Sequence, residues 1–423
     1  MKTKIKEVEL NKVYNNDARD ILDFLNSDIR IKSTITSPPY FDMKDYGSDC
    51  QIGYGQSYET YLEDLKKIFE DIYKITEDDG SLWIIIDTFK RENQVITLPF
   101  DLANKLKQAG WLLQDIIIWK KDKTVPWSSK GFMQRKFEYI LFFSKTNNFK
   151  YNKDKVRNFD TSQLKKWWVK YPERYNPRGK ALDEIWEFPI PVQGSWGNEY
   201  IRHFCPLPKE MVATMIEIST DIGDIILDPF AGSGTVPFQS AIMERKYIGF
   251  ELNTEYIKMF QKYYDETFKE SYTEYKNLDK QSDQKVFEKL ILELRALKYG
   301  RLLVTKIEKE LDITSKVLVE IKEFITDNQK HMKVEYQLIG NFNTVNSTFV
   351  SELISTYISK APFSKYGIIP DIKYTETINL NEQTIYYGYT ATNSYAYSDL
   401  PIDSHRIKVI SEICVNLNEN DYN

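Results

Sequence analysis

Apolar and polar positions along the first 265 residues alternate between two periods. A short run from Asn11 to Asn15 and the stretch Ile31-Lys-Ser-Thr-Ile-Thr36, rich in β-branched residues, predict strands. Residues 58–77 carry Tyr61, Leu65, Ile68 and Ile72 on one helical face, and Asp79-Gly80 is the expected breaker. Ser81–Asp87 reads as a buried strand, Pro99–Gln108 as a helix stopped at Gly110, and Leu113–Lys120 and Phe137–Ser144 as two further strands. Later come a helix from Lys209 to Ser219, a buried strand Asp224–Asp228, a helix Val236–Arg245 and a strand Tyr247–Glu251. Strands that alternate with helices predict a mainly parallel sheet of the α/β class.

The pattern breaks in two places. Residues 145–197 are polar, basic and aromatic, with prolines at 172, 177, 189 and 191, and read as an insertion between two halves of the sheet. Residues 271–423 form a separate problem. Lys276–Lys285 is charged and poor in apolar residues, as a linker is; Val286–Asn328 reads as two or three helices; the part from Ser347 reads as mixed strands and helices. Pro370-Asp371 is not followed by Glu-x-Lys, so a fused nuclease is disfavoured and an accessory α+β recognition or interaction domain is expected. The divisions are therefore 1–144, 145–197, 198–270 and 271–423.

Charge sharpens this picture. The chain of 423 residues carries a formal net charge of −5. Between Trp119 and Lys180, however, seventeen Lys or Arg stand against five Asp or Glu, which leaves about −17 on the rest. A basic stripe on an acidic body is a footprint for phosphates. Trp127, Phe132, Trp167, Trp168, Tyr171 and Tyr175 interleave with it. Lys120, Lys121, Arg135, Lys136, Lys165, Lys166, Trp167, Arg174 and Arg178 are the candidate DNA contacts. Three scattered cysteines and three dispersed histidines argue against a disulfide framework and a metal site. No apolar run reaches the ~18 residues of a membrane span, and the lysine-rich start lacks an apolar continuation, so a cytoplasmic protein is expected.

Two short segments carry the chemistry. Ser37-Pro38-Pro39-Tyr40 follows a strand that neither proline can continue, so the chain leaves the sheet at Ser37, at the carboxyl end where α/β sheets bind ligands. A stiff proline corner aims a carbonyl oxygen, Ser37 adds a second acceptor, and Tyr40 adds a flat ring. Two acceptors facing one NH2 group localise a lone pair otherwise delocalised into a heterocycle, and most of that benefit falls in the transition state. The second segment, Asp228-Pro229-Phe230-Ala231-Gly232-Ser233-Gly234-Thr235, forms a strand, glycine turn and helix start. It lacks the Lys-Ser/Thr of a phosphate loop. Glu251 ends the next strand about 20 residues on, where an acid chelates ribose hydroxyls. Bare backbone at Gly232 and Gly234 suits a methionyl chain, and S-adenosylmethionine is the expected cofactor.

With these motifs in this order, the chain resembles the DNA amino-methyltransferases of bacterial restriction-modification systems, in the group whose catalytic segment precedes the cofactor segment. The resemblance covers roughly residues 8–265 and implies that 1–144 is the catalytic half, 145–197 a target-recognition insertion and 198–270 the cofactor-binding half. It implies a doubly wound, mainly parallel seven-stranded sheet entered at a permuted point. It places Asp17, after Asn16, near the cofactor adenine and Phe230 beside the cofactor. His203-Phe-Cys-Pro206-Leu-Pro208 would lie against the methionine end, and Gln134–Glu138 would line the pocket of a flipped base. Within the family, Ser before Pro-Pro-Tyr goes with cytosine N4, and Asp or Asn with adenine N6. The resemblance thus implies N4 methylation of a flipped cytosine in double-stranded DNA, with adenine N6 the alternative and a cognate restriction endonuclease an implied partner. A protein or RNA methyltransferase and a silent DNA-binding subunit are the lesser readings.

Overall fold

The computed structural model describes residues 8–25, 29–43, 51–122, 133, 135–160, 176, 179–191, 207–278, 282–284, 286–287, 290–291, 315–326, 329–341, 368–374 and 384–393. The chain forms two compact units, Met1–Arg157 with Ala181–Leu278, and Asn158–Lys180 with Asp279–Asn423.

The first unit is built on a sheet of eight strands, with β4 (Phe89–Arg91) and β5 (Gln94–Ile96) forming a separate hairpin. The eight are β1 (Lys12–Asn15), β2 (Ile31–Thr36), β3 (Thr76–Ile86), β6 (Leu112–Lys120), β7 (Phe137–Ser144), β8 (Ile185–Glu187), β9 (Ile225–Asp228) and β10 (Lys246–Glu251), in spatial order β1-β10-β9-β2-β3-β7-β6-β8. All neighbours are parallel except β7, which runs against both β3 and β6. The carboxyl ends of the seven parallel strands and the amino end of β7 therefore share one edge. The eighth strand, one beyond the seven expected, comes from the basic insertion. It pairs with β6 at Ile118–Ile185 and Trp119–Trp186, and the Trp119 indole donates to the Phe188 carbonyl at 2.8 Å.

Helices cover both faces, which is why the central strands read as near-continuous apolar runs. Leu82, Ile84 and Ile86 of β3 point into one core with α2 (Tyr58–Ile75) and α3 (Leu98–Gln108), where the short α1 (Ile21–Phe24) also packs. Trp83 and Ile85 point into the other, with α4 (Lys209–Ser219), α5 (Thr235–Ile242) and α6 (Thr254–Asn277). The helix expected over 58–77 ends at Ile75, and β3 starts at once, so Asp79-Gly80 lies inside a strand. The acids are tolerated there because the buried Lys32 ammonium donates to Glu77 at 2.7 Å and Asp79 at 2.6 Å. Gly80 is needed because a Cβ would lie 2.5 Å from the Thr76 methyl and 2.9 Å from the Lys32 carbonyl.

In the second unit, β11 (Ser315–Thr326), β12 (Gln329–Asn341), β13 (Ile368–Tyr374) and β14 (Thr384–Asn393) form an antiparallel sheet in the order β11-β12-β14-β13. The helical expectation for 286–328 thus fails over Ser315–Thr326. Val317, Val319 and Ile321 recur at period two, a strand pattern, and the segment pairs with β12 from end to end. The first two residues of the expected linker complete α6. Asn158 and Lys180 meet in an antiparallel bridge, each amide donating to the other's carbonyl at 2.9 Å.

One buried cation holds the strands that enter the site. Arg245 donates to the Thr220 hydroxyl and carbonyl, both at 3.0 Å, and to the Met243 carbonyl at 2.6 Å. These bonds join the turns ahead of β9 and β10. Arg245→Met should lower stability by about 2 kcal/mol, read as a drop of roughly 5 °C in the melting temperature. An unchanged melting temperature would show that the clamp is dispensable.

A candidate active site at the carboxyl edge of the sheet

The two motifs meet because β2 and β9 are neighbours, paired at Ser33–Ile226 and Thr34–Leu227. One residue before the proline corner, the Thr36 hydroxyl donates to Asp228 Oδ1 at 2.7 Å in the buried interior. The same oxygen accepts the Phe230 amide at 3.1 Å. A single carboxylate thus holds the start of the glycine turn and the end of β2. Burial pushes Asp228 up to about 7; the bonds from Thr36 and Phe230 oppose the rise, and the Glu251 charge adds to it.

The proline corner is fixed from several sides. The Tyr61 hydroxyl donates to the Pro39 carbonyl at 2.6 Å. Phe41 follows Tyr40 with φ of 55°, in the left-handed region that aromatic residues rarely adopt. Its ring is buried among Tyr58, Tyr61 and Phe89, with centroids 5.3, 5.4 and 5.7 Å away. Gly53 packs on its backbone so closely that a Cβ would come within 2.7 Å of the Phe41 carbonyl oxygen.

Tyr40 is half-buried, and its hydroxyl donates to Glu138 Oε2 at 2.8 Å. The Ser37 hydroxyl lies 3.5 Å from the Tyr40 oxygen. Lys121 pairs with Glu138 Oε1. Burial raises the Tyr40 phenol well above its ordinary value, with the Glu138 charge adding to the effect, so it stays protonated. Beside this group, Asp87 leaves the end of β3, accepts the Thr88 amide at 2.7 Å and lies 3.3 Å from the Arg135 guanidinium. Burial raises Asp87 to about 6, Arg135 opposes, and Glu138 adds to it.

Glu251 organises the opposite wall. Its Oε2 accepts the Gly232 amide and its Oε1 the Asn253 amide, both at 2.8 Å. Burial raises its pKa against these backbone bonds. The Asn15 side chain donates to the Glu251 carbonyl at 3.0 Å and the Leu252 carbonyl at 2.8 Å, which ties β1 to the exit of β10. Gly232 and Gly234 both have positive φ, 52° and 83°. At Gly234 a Cβ would fall 2.1 Å from the Phe260 ring, so its bareness serves packing against α6. Ala231 and Thr235 are buried, Phe230 and Ser233 half-buried, and the Thr235 hydroxyl has no hydrogen-bond partner among the described residues. Asp17 lies just beyond β1 on the same edge. It accepts from the Arg19 amide at 2.9 Å and from the Arg19 guanidinium at 3.0 and 2.5 Å.

Of the basic candidates, Lys136 is exposed, and Lys120 is half-exposed against Glu187 at 2.6 Å. Lys121 differs from the surface role read in the sequence: its ammonium is largely buried against Glu138, and it stands inside the site. Arg135 bonds Asp87 and both the hydroxyl and carbonyl of Thr88. Lys165, Lys166, Trp167, Arg174, Arg178, His203 and Pro206 lie outside the described residues. Sequence reasoning gives no role to Thr36, Tyr61 or Asp87, and takes Glu138 only as the end of a pocket segment. An acid directly after a buried strand is the available signal for Asp87.

A family model described as DNA methylase (N6/N4 type) matches residues 31–262. The chain belongs to this N6/N4 DNA methylase family. It is 29% identical to the Type II methyltransferase M.Cfr9I of Citrobacter freundii, over 59% of this chain and 87% of that one. It is likewise 29% identical to M.XycI of Xanthomonas campestris pv. cyanopsidis, over 58% of this chain and 85% of that one. Among solved structures, a PvuII DNA methyltransferase described as cytosine-N4-specific aligns with a TM-score of 0.48 at 17% identity, covering 63% of this chain and 92% of that chain. A DNA modification methylase of Thermus thermophilus, solved with S-adenosyl-L-methionine, gives 0.41 at 21% identity, covering 60% and 93%.

Asp228 makes stability depend on pH. Between about pH 4 and about pH 7 the unfolded chain has released this proton while the folded chain keeps it, so stability falls as pH rises through that window. Asp228→Asn should flatten the fall, because its carbonyl oxygen still accepts from Thr36 and Phe230. Melting temperatures of both proteins across the window check this; parallel curves would exclude Asp228 as the source.

Proposed function

We propose that the chain methylates the N4 amine of a flipped cytosine in double-stranded DNA. The observation that carries the reading is the Thr36–Asp228 bond, which holds the Ser37–Tyr40 corner and the glycine turn at one edge. As a member of the DNA methylase family, the chain takes its methyl group from S-adenosylmethionine. The residues present fit that cofactor. Glu251 accepts backbone amides through both oxygens, and a carboxylate with four lone-pair sites still has capacity for a ribose hydroxyl. Among the described residues the buried Thr235 hydroxyl, at the start of α5, has no hydrogen-bond partner, and Phe230 offers an aromatic face. Asp17, Asp228, Ala231, Gly232, Ser233 and Gly234 complete the wall, and His203 and Pro206 belong to it by family resemblance.

When bound, S-adenosylmethionine supplies an electrophilic methyl group on a sulfonium. The protein has to bring the base, orient it and leave its nitrogen lone pair exposed. The target amine is out of reach inside a duplex, so the base leaves the stack. Tyr40 stacks on it, while Ser37 Oγ and the Pro38 carbonyl accept the two amine hydrogens. Pro39 shapes the corner, and Tyr61 keeps it from relaxing. The preset geometry lowers the entropic part of the barrier. The basic stripe, with Lys120, Arg135, Lys136, Lys165, Lys166, Trp167, Arg174 and Arg178, supplies the phosphate and base contacts.

Ser37, rather than Asp or Asn, favours cytosine over adenine. The Type II relatives favour action at one short sequence, with a cognate restriction endonuclease as partner. Nucleoside mass spectrometry of host DNA, with and without the expressed chain, should show N4-methylcytosine; N6-methyladenine instead would move the reading to adenine. Ser37→Ala should lower kcat about a hundredfold. Its affinity for S-adenosylmethionine, measured by calorimetry, should stay within about threefold, since the lost interaction acts on the base. Full turnover in this variant would remove the serine from the mechanism.

A further inference from the structure

We propose that Glu138 sets the direction of a hydrogen-bond chain, Ser37 to Tyr40 to Glu138, that turns the serine lone pairs toward the target amine. This rests on the reading of Ser37 given above.

The argument starts at the buried end. Glu138 is 8% exposed, and Lys121 pairs with its Oε1, which leaves Oε2 as the acceptor facing Tyr40. Tyr40, 2.8 Å from Oε2, has to donate its single hydroxyl proton to it. Burial and the neighbouring charge keep that phenol protonated. With its proton committed, the Tyr40 oxygen can only accept, and the hydroxyl within reach is that of Ser37, at 3.5 Å. Such contacts are long without substrate and shorten when the site closes on one. The Ser37 proton then points at Tyr40, and both serine lone pairs remain for an N–H donor.

Without the carboxylate, the chain can reverse. A Tyr40 hydroxyl that donates to Ser37 consumes a serine lone pair and turns the serine proton outward, where it meets the amine hydrogens as one donor against another. Glu138 is thus a positioning residue that acts through Tyr40. Lys121 belongs to the same device, since it holds the acceptor in place. No proton is transferred in this role.

The test compares the full chain with Glu138→Gln, Tyr40→Phe and the double variant. The readout is incorporation of labelled methyl groups from S-adenosylmethionine into genomic DNA of a host free of modification. The glutamine amide can donate where the carboxylate cannot, so Glu138→Gln should lower kcat about tenfold and leave KM for S-adenosylmethionine unchanged. Tyr40→Phe keeps the ring but removes the relay, and should lower kcat by a similar factor. In the Tyr40→Phe background, Glu138→Gln should add less than about twofold, because the two changes interrupt one chain. Equal losses from Glu138→Gln in both backgrounds, or a wild-type kcat in Glu138→Gln, would overturn the proposal. Should Glu138→Gln fail to melt cooperatively, Tyr40→Phe alone decides, and a wild-type kcat there overturns it. A wild-type chain that incorporates no methyl groups would instead overturn the assigned function, which separates the two failures.

Discussion

The whole active edge depends on one buried hydrogen bond, from Thr36 to Asp228. Parallel pairing of β2 with β9 brings two strand ends together, but pairing alone sets only their spacing along the ladder. The Thr36–Asp228 contact fixes how the two loops leave the sheet, because one oxygen receives both the last hydroxyl of β2 and the amide that opens the glycine turn. A group so placed is forced into a high pKa by burial. The carboxylate is costly to ionise there, which fits a residue kept for geometry.

A second constraint runs through the aromatic cluster behind the proline corner. Two prolines limit the chain, and Phe41 reverses it in a backbone conformation that its side chain disfavours. Burial of the ring among Tyr58, Tyr61 and Phe89 holds that conformation. Strain at Phe41 and the bond from Tyr61 to Pro39 point to the same end, a Tyr40 ring that does not wander.

Much of this is legible in the sequence. Long periodic or β-branched stretches such as 58–75, 209–219 and 31–36 determine their own structure, and the two motifs fall at the ends of neighbouring strands on one edge of the sheet. What escapes are pairings that no local pattern encodes. Glu138 belongs to a strand that runs antiparallel to its neighbours, so its position at the active edge follows only from topology. Lys121 reads as one more lysine in a basic stripe until Glu138 is placed opposite it. Gly80 reads as a helix breaker because nothing nearby in sequence reveals that Lys32 neutralises the acids beside it. The strand Ser315–Thr326 reads as helix although its period-two pattern is visible, and what fixes it as a strand is its end-to-end pairing with β12, which no local pattern encodes.

The bridge between Asn158 and Lys180 has a consequence for how such a protein diversifies. The two ends of a 23-residue stretch are pinned together by a reciprocal pair of hydrogen bonds, each backbone amide donating to the other residue's carbonyl. A stretch closed at its own neck can be lengthened, shortened or exchanged while its attachment points stay where they are, and the entropy of closing it grows only slowly with length. Insertions and deletions inside the stretch therefore call for no compensating change at Asn158 or Lys180.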